Sequence, residues 1–341
     1  MVHPNDPLER PIIILGAARS GTTLLARTVL ARHPEIAFWP EPAYVWRHGH
    51  AYRRHDVLQP SDATPRVRRY IEAQFSRHLA ASGGKRFMEK TPGNCFRMPF
   101  VLEVFPRAQV IHVLRDGRDV AISAAKEWSG TGTPWVRGER RALGVGGRLS
   151  HILRAQNAPG RRFRSVGDLL ELPAYIGRLV GVFRRQVLHS SRPLWGPRFP
   201  GFRNVRATYS LLETCALQWD LSVRMSRSAC RRLPDSQYLE LRYEGLVTDP
   251  KHEVARILEF LEIDARHEIL QTLIAGVERQ VRPKWLTGLT REEVLAMESL
   301  VAGTLTELGY DLLRSGSLPS PREAAAVRSA ANDDPVRTRG G

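Results

Sequence analysis

The segment that most limits what this chain can fold into runs from Pro11 to Leu30. It opens with the apolar run Pro11-Ile12-Ile13-Ile14-Leu15 and turns through Gly16-Ala17-Ala18-Arg19-Ser20-Gly21-Thr22-Thr23. It then continues in the helical pattern Leu24-Leu25-Ala26-Arg27-Thr28-Val29-Leu30. A short continuous apolar run suits a strand buried on both faces. Strand, glycine-bounded loop and helix in that order form an anion cradle, because the loop N–H groups and the helix N-terminus converge on one point. The spacing is that of a Walker A loop, but Thr22 stands where nucleotide hydrolysis requires lysine, and Arg19 supplies a cation instead. The loop is expected to bind a phosphate for a chemistry other than nucleotide hydrolysis.

The pattern of elements extends this reading. A second strand is expected within 33–42, closed by prolines, and a helix over 64–81 with Val67, Ile71, Phe75 and Leu79 on one face. A strand at 86–90, a helix at 96–105 and a strand at 109–114 follow, the last leading through Arg115-Asp116-Gly117-Arg118-Asp119 into a helix that reaches Lys126. Short apolar strands alternating with helices predict an α/β fold with a parallel sheet, whose ligands gather at the carboxyl ends of the strands. From 129 to 208 the composition shifts to Gly, Pro and Arg. Arginines 137, 140, 141, 148, 154, 161, 162 and 164 face one acid, Glu139. This stretch is read as an insertion over the sheet on the acceptor side, with helix at 166–188. Helices at 211–233, 250–261 and 290–308 and a strand at 237–243 complete the pattern, the last helix capped by Thr290 with Glu293 three residues on. Residues 1–314 are expected to form one domain and 315–341 a mobile tail.

Net charge is +16, and lysine occurs only at positions 85, 90, 126, 251 and 284, so arginine carries nearly all of the positive charge. Such a chain favours acidic partners: nucleotides, anionic glycans, nucleic acid or an anionic membrane surface. The three cysteines form no CxxC pair or even-numbered framework, which fits free thiols in a reducing compartment. With no signal-peptide pattern and no apolar run of about 20 residues, the expectation is a cytoplasmic protein without a transmembrane segment, peripheral membrane contact remaining open. His48, His50 and His55 lack Asp or Cys companions at ligand spacing, so no metal is expected, and His112 inside an apolar strand reads as core.

Arg115 and Ser123, eight residues apart across a strand end and a helix start, could share one anion. Taken with the loop Arg19-Ser20-Gly21-Thr22-Thr23, this constellation resembles the sulfotransferases, which move a sulfuryl group from 3′-phosphoadenosine-5′-phosphosulfate (PAPS) and release PAP. The resemblance implies a three-layer, P-loop-NTPase-like fold in which a central parallel sheet is flanked by helices. It places Arg19, Ser20, Gly21, Thr22 and Thr23 on the 5′-phosphosulfate, and Arg115 and Ser123 on the 3′-phosphate. Tyr243, in Tyr243-Glu244-Gly245-Leu246-Val247, matches a tyrosine that approaches the nucleotide. Lys284, in Arg282-Pro283-Lys284-Trp285, matches a late basic-aromatic segment that reaches the phosphates; a solvated lysine beside a packed tryptophan accounts for it equally well.

In-line transfer needs a cationic cradle for the leaving phosphate and a base for the acceptor proton. Arg19 and Lys90, at the end of the third strand, are the candidate cations. No histidine follows Lys90 as it does in sulfotransferases of small phenols and steroids. Glu41, in Trp39-Pro40-Glu41-Pro42, matches the glutamate of tyrosylprotein sulfotransferases and is the candidate general base. The expected acceptor is a glycan, lipid or other small molecule, possibly anionic, rather than a protein, and the oligomeric state is left open. Two rival readings stand beside this one. In a P-loop NTPase or kinase, Asp116 would hold Mg²⁺ after a Walker B strand. A nucleic-acid-binding protein would account for the net charge, although no recognised binding motif is present.

Overall fold

The computed structural model describes residues 8–129, 196–278 and 283–313. Five parallel strands form one sheet: β1 (Ile12–Leu15), β2 (Ile36–Pro40), β3 (Arg86–Lys90), β4 (Gln109–Leu114) and β5 (Tyr238–Arg242), in the spatial order β2-β3-β1-β4-β5. The register pairs Ile14 of β1 with Lys90 of β3 on one side and with Ile111 of β4 on the other. Strand β1 is thus central, and every one of its residues is buried. Alternation along it feeds two cores. Ile13 and Leu15 pack with Val110, Phe87 and Trp39 against helices α2 (Pro65–Ser82) and α3 (Met98–Val104). Ile12 and Ile14 pack with Ile111, Val113 and Met88 against the first helix, α1 (Leu24–Val29), and against three helices that follow β5. Helices on both faces of the parallel sheet that the pattern predicted make the three layers that the resemblance implied.

A third cluster forms between α4 (Gly117–Trp128), α5 (Leu211–Cys230) and a late helix, Arg291–Glu307. Trp219 of α5 is its centre: it is 1% exposed, and its Nε1 donates to the Arg115 carbonyl at 3.1 Å. A short helix α6 (Tyr243–Thr248) follows β5 directly, then α7 (Pro250–Leu261), α8 (His267–Ile274) and α9 (Arg291–Glu307). The cap read from sequence is present: Thr290 and Glu293 form a reciprocal capping box at α9. Thr64 also caps α2, accepting from Val67 N.

Some boundaries differ from the sequence expectation. The helix expected over 96–105 is split, because Pro92–Phe96 winds as a tight 3₁₀ turn and α3 begins only at Met98. Helix α1 is wound wider than an α-helix, with a π-type pattern over Leu24–Val29. The core of the proposed insertion (130–195), including its arginine run and expected helix, and the tail after 313 lie outside the described residues. No helix among the described residues is long and apolar enough to cross a membrane.

Candidate functional site

All five strands deliver a candidate residue at their carboxyl ends. Glu41 directly follows β2, Lys90 ends β3, Gly16–Thr23 follows β1, Arg115 follows β4, and Tyr243 follows β5. Given the strand order, these groups lie along one edge in the sequence Glu41, Lys90, loop, Arg115, Tyr243. With strands about 4.8 Å apart the row spans roughly 19 Å. The central strand β1 is also where the chain reverses direction across the sheet, the usual place for a ligand crevice.

The loop is tightly wound. Ser20 N donates to Ala17 O at 3.0 Å and Leu25 N to Gly21 O at 3.1 Å, and Arg19 takes a left-handed backbone with φ +80. Gly21 has φ +96, and a Cβ there would come within 2.2 Å of the Tyr243 ring. The glycine is therefore required both by its backbone and by the tyrosine lying against it. Ser20 is 1% exposed and its Oγ has no hydrogen-bond partner. A buried hydroxyl left unsatisfied at the mouth of a phosphate loop is a donor waiting for an acceptor, and a phosphate oxygen fits it. Thr22 is buried and Thr23 exposed at the helix start.

Beside the loop stand Arg115, Ser123 and Arg19. Arg19 Nε donates to Ser123 Oγ at 3.0 Å, so α4 presents its hydroxyl to the loop arginine. Arg115 is 6% exposed; it donates to Asp119 Oδ2 at 2.8 Å, reaches the Arg19 carbonyl at 3.4 Å, and lies 4.1 Å above the Tyr243 ring. Burial raises the Tyr243 pKa, partly offset by Arg115. The other Asp119 oxygen accepts the Trp285 amide at 2.9 Å, which brings Lys284 to the same place. Partial burial, then Arg115, Lys126 and Arg19, pull the Lys284 pKa below the ordinary lysine value. Cations gathered this closely would favour an anion among them. Arg19, assigned from sequence to the leaving phosphate, here rests with its guanidinium on the Ser123 side.

At the other end of the row, Lys90 is ion-paired with Glu41 Oε1, and Glu41 N donates to Lys90 O at 3.1 Å. The Lys90 side chain is 6% exposed and that of Glu41 56%. Glu41 has φ +51, a strained conformation for a residue with a side chain, of the kind that collects at functional sites. Behind Lys90 lies a buried polar network. Glu89 accepts from Thr91 Oγ1 at 2.6 Å and Asn94 Nδ2 at 2.7 Å, and Asn94 Oδ1 accepts from Arg97 Nε at 2.9 Å. Burial pushes Glu89 up to about 7 and Arg97 down to about 10.

Several supporting residues escape a reading by motif. Asp119 joins Arg115 to Trp285, Glu244 accepts the Asp116 amide at 3.0 Å, and Glu89 anchors the turn after Lys90. Asp119 could have been found by its four-residue spacing from Arg115; the other two have no local signal. Asp116, the Mg²⁺ ligand of the NTPase reading, caps α4 through Arg118 N, and its carboxylate is bonded by the Arg118 guanidinium at 2.8 Å. His112 is fully buried and held at about 4 by burial, with Nδ1 on Tyr238 OH, as expected for a core residue.

A glycine-bounded loop on the central strand of a three-layer parallel sheet, with cations from the flanking strands, defines an α/β protein of P-loop-like architecture. The model of the Sulfotransferase family matches residues 11–164 and 178–267, well over half of the chain, and the chain belongs to that family. Nodulation protein NoeE of Sinorhizobium fredii is 26% identical, over 94% of this chain and 70% of that protein. Protein-tyrosine sulfotransferase A of Caenorhabditis elegans is 22% identical, over 91% of this chain and 70% of that protein. Among solved structures, sulfotransferase STF9 from Mycobacterium avium aligns with a TM-score of 0.49 at 15% identity, over 90% of this chain and 79% of that one. Sulfuryl transfer is the class of activity that comes with the family.

Proposed function

We propose that this protein transfers a sulfuryl group from PAPS to a hydroxyl or amine of a glycan, lipid or other small-molecule acceptor. The observation that carries the reading is the row of strand ends. At one side of the loop stand Arg115, held by Asp119, Ser123, bonded by Arg19, and Lys284, within the field of both arginines; a base–cation pair (Glu41, Lys90) stands at the other. That polarity suits a donor with a 3′-phosphate at one end and a reacting sulfur at the other. Tyr243, packed on Gly21 and Arg115, would border the nucleotide.

In this reading the loop amides, Ser20 Oγ, Thr22 and Thr23 bind the 5′-phosphosulfate. Glu41 takes the acceptor proton as the acceptor oxygen or nitrogen bonds to sulfur. The bond from sulfur to the 5′-phosphate oxygen breaks, and Lys90 and Arg19 meet the charge that the phosphate gains. The exposed carboxylate of Glu41 leaves the base open to an acceptor arriving from solvent. Two relatives named above differ in what their names state: one is called a nodulation protein, the other a protein-tyrosine sulfotransferase. Cofactor-side residues do not choose an acceptor class.

The test is transfer of labelled sulfate from PAPS to panels of glycans, lipids, phenols, amines and tyrosine peptides, by the wild type and by Glu41→Gln. Transfer to a non-protein acceptor that is lost in Glu41→Gln supports the proposal. Preference for tyrosine peptides would move the acceptor assignment to protein. A larger rise in melting temperature with ATP and Mg²⁺ than with PAP would favour the NTPase reading.

A further inference from the structure

Lys90 is nearly buried, and among the described residues its ammonium is hydrogen-bonded to Glu41. A buried ammonium requires a counter-charge, and Glu41 supplies it. The reaction proposed above asks more of both groups. Lys90 has to meet the 5′-phosphate of the donor, and Glu41 has to accept a proton from the acceptor. A lysine whose stem is packed at the end of β3 cannot give its full charge to two anions at once.

We propose that Glu41 and the 5′-phosphate of the donor compete for Lys90. The ion pair is the resting state; the arriving phosphate takes Lys90 and releases the Glu41 carboxylate toward the acceptor. This rests on reading Lys90 as a donor ligand. The backbone around Glu41 is built for such a change. Its amide is fixed to Lys90 O at 3.1 Å and its carbonyl accepts from Ala43 N at 2.7 Å. The strained φ of +51 is held by those two bonds rather than by the ion pair. When the pair opens, the side chain swings and the main chain stays. The Glu41 side chain is 56% exposed, so a released carboxylate turns into solvent rather than into the core. The base is thus freed by the presence of the donor. By reciprocity, the ion pair also weakens donor binding by whatever it takes to break it.

Calorimetric titration of PAP, which carries both phosphates and no sulfate, tests this without turnover. Glu41→Gln should bind PAP about five- to tenfold more tightly than the wild type, in the range of ordinary coupling between sites. Lys90→Met should bind it more weakly, and adding Glu41→Gln to Lys90→Met should change the affinity by less than about twofold. Equal tightening in both backgrounds would mean only that a negative charge had been removed near an anion, and the competition would be refuted. No tightening in Glu41→Gln refutes it as well. Glu41→Asp covers the case in which Lys90→Met does not fold. It keeps the charge but is one methylene too short to hold Lys90, so it should also tighten PAP, and unchanged affinity overturns the proposal. A wild type with no affinity for PAP would instead remove the donor reading on which the proposal stands.

Discussion

Asp119, in the first turn of α4, holds Arg115 just after the end of β4, with Arg115 Nη2 at 2.8 Å from Oδ2 and both side chains buried. The other oxygen of the same carboxylate accepts the Trp285 amide, so one aspartate fixes Arg115 and the segment carrying Lys284. Asp119→Asn keeps the Trp285 bond and removes the counter-charge of a buried arginine. It is expected to lower stability by about 3 kcal/mol, the usual range for breaking a buried pair. The phosphate of PAP would restore part of that charge balance. Thermal unfolding should therefore show a larger PAP-induced rise in melting temperature for Asp119→Asn than for the wild type; an equal or smaller rise would place Arg115 away from the ligand.

Arg19 and Ser123 make the second relationship across the loop, at 3.0 Å. If Ser123, together with Arg115, reads a 3′-phosphate, removing the hydroxyl should matter only to ligands that carry one. Ser123→Ala is expected to lose about 1 kcal/mol for PAP, near fivefold in affinity, and little for AMP. Titration of both nucleotides against both proteins decides it. A loss shared equally by AMP moves Ser123 out of the 3′-phosphate subsite.

The parts of this site legible in sequence are those encoded locally. The run Ile12–Leu15 announced a doubly buried strand, and its four residues are all buried. The glycine-bounded loop, the strand ending in Arg115 and the Thr290–Glu293 cap were likewise written in neighbouring residues. What could not be read is set by distance along the chain. Trp285 lies 166 residues from Asp119, and Glu244 128 residues from Asp116, yet each pair shares a hydrogen bond. Nothing local marks Lys90 as buried, because Arg86, Glu89 and Lys90 make β3 look half-solvated. Strand β3 is in fact interior, paired on both sides by β2 and β1, and Glu89 and Lys90 are both buried. Strand order, which no local pattern encodes, decides that outcome.

Gly21 faces the Tyr243 ring so closely that a methyl group cannot enter, and its φ of +96 is unfavourable for any other residue. Gly21→Ala should therefore deform the loop or displace the tyrosine, at about 1–3 kcal/mol of strain. PAP affinity is expected to fall at least about tenfold by calorimetry, the fold-change equivalent of 1.4 kcal/mol. Adding Tyr243→Ala removes the clash and leaves the backbone strain. If Gly21→Ala weakens PAP binding as much in the Tyr243→Ala background as in the wild type, the contact with the ring is not what constrains the loop.

Glu89 makes a prediction about pH. Its carboxyl is fully buried, and burial pushes it up to about 7 despite bonds from Thr91 and Asn94. A folded-state pKa above the unfolded value favours the folded state fully at low pH. That favour is lost as pH rises through the folded pKa. The wild type should thus lose stability from this group between about pH 4.5 and 7, and no further above that. Glu89→Gln keeps a polar group for Thr91 and Asn94 but cannot ionise. Relative to the wild type, its stability in urea should rise by about 2–3 kcal/mol between about pH 5 and pH 8. A difference that stays flat across that range would mean that Glu89 remains ionised in the folded protein, with Arg97 as its effective counter-charge through Asn94.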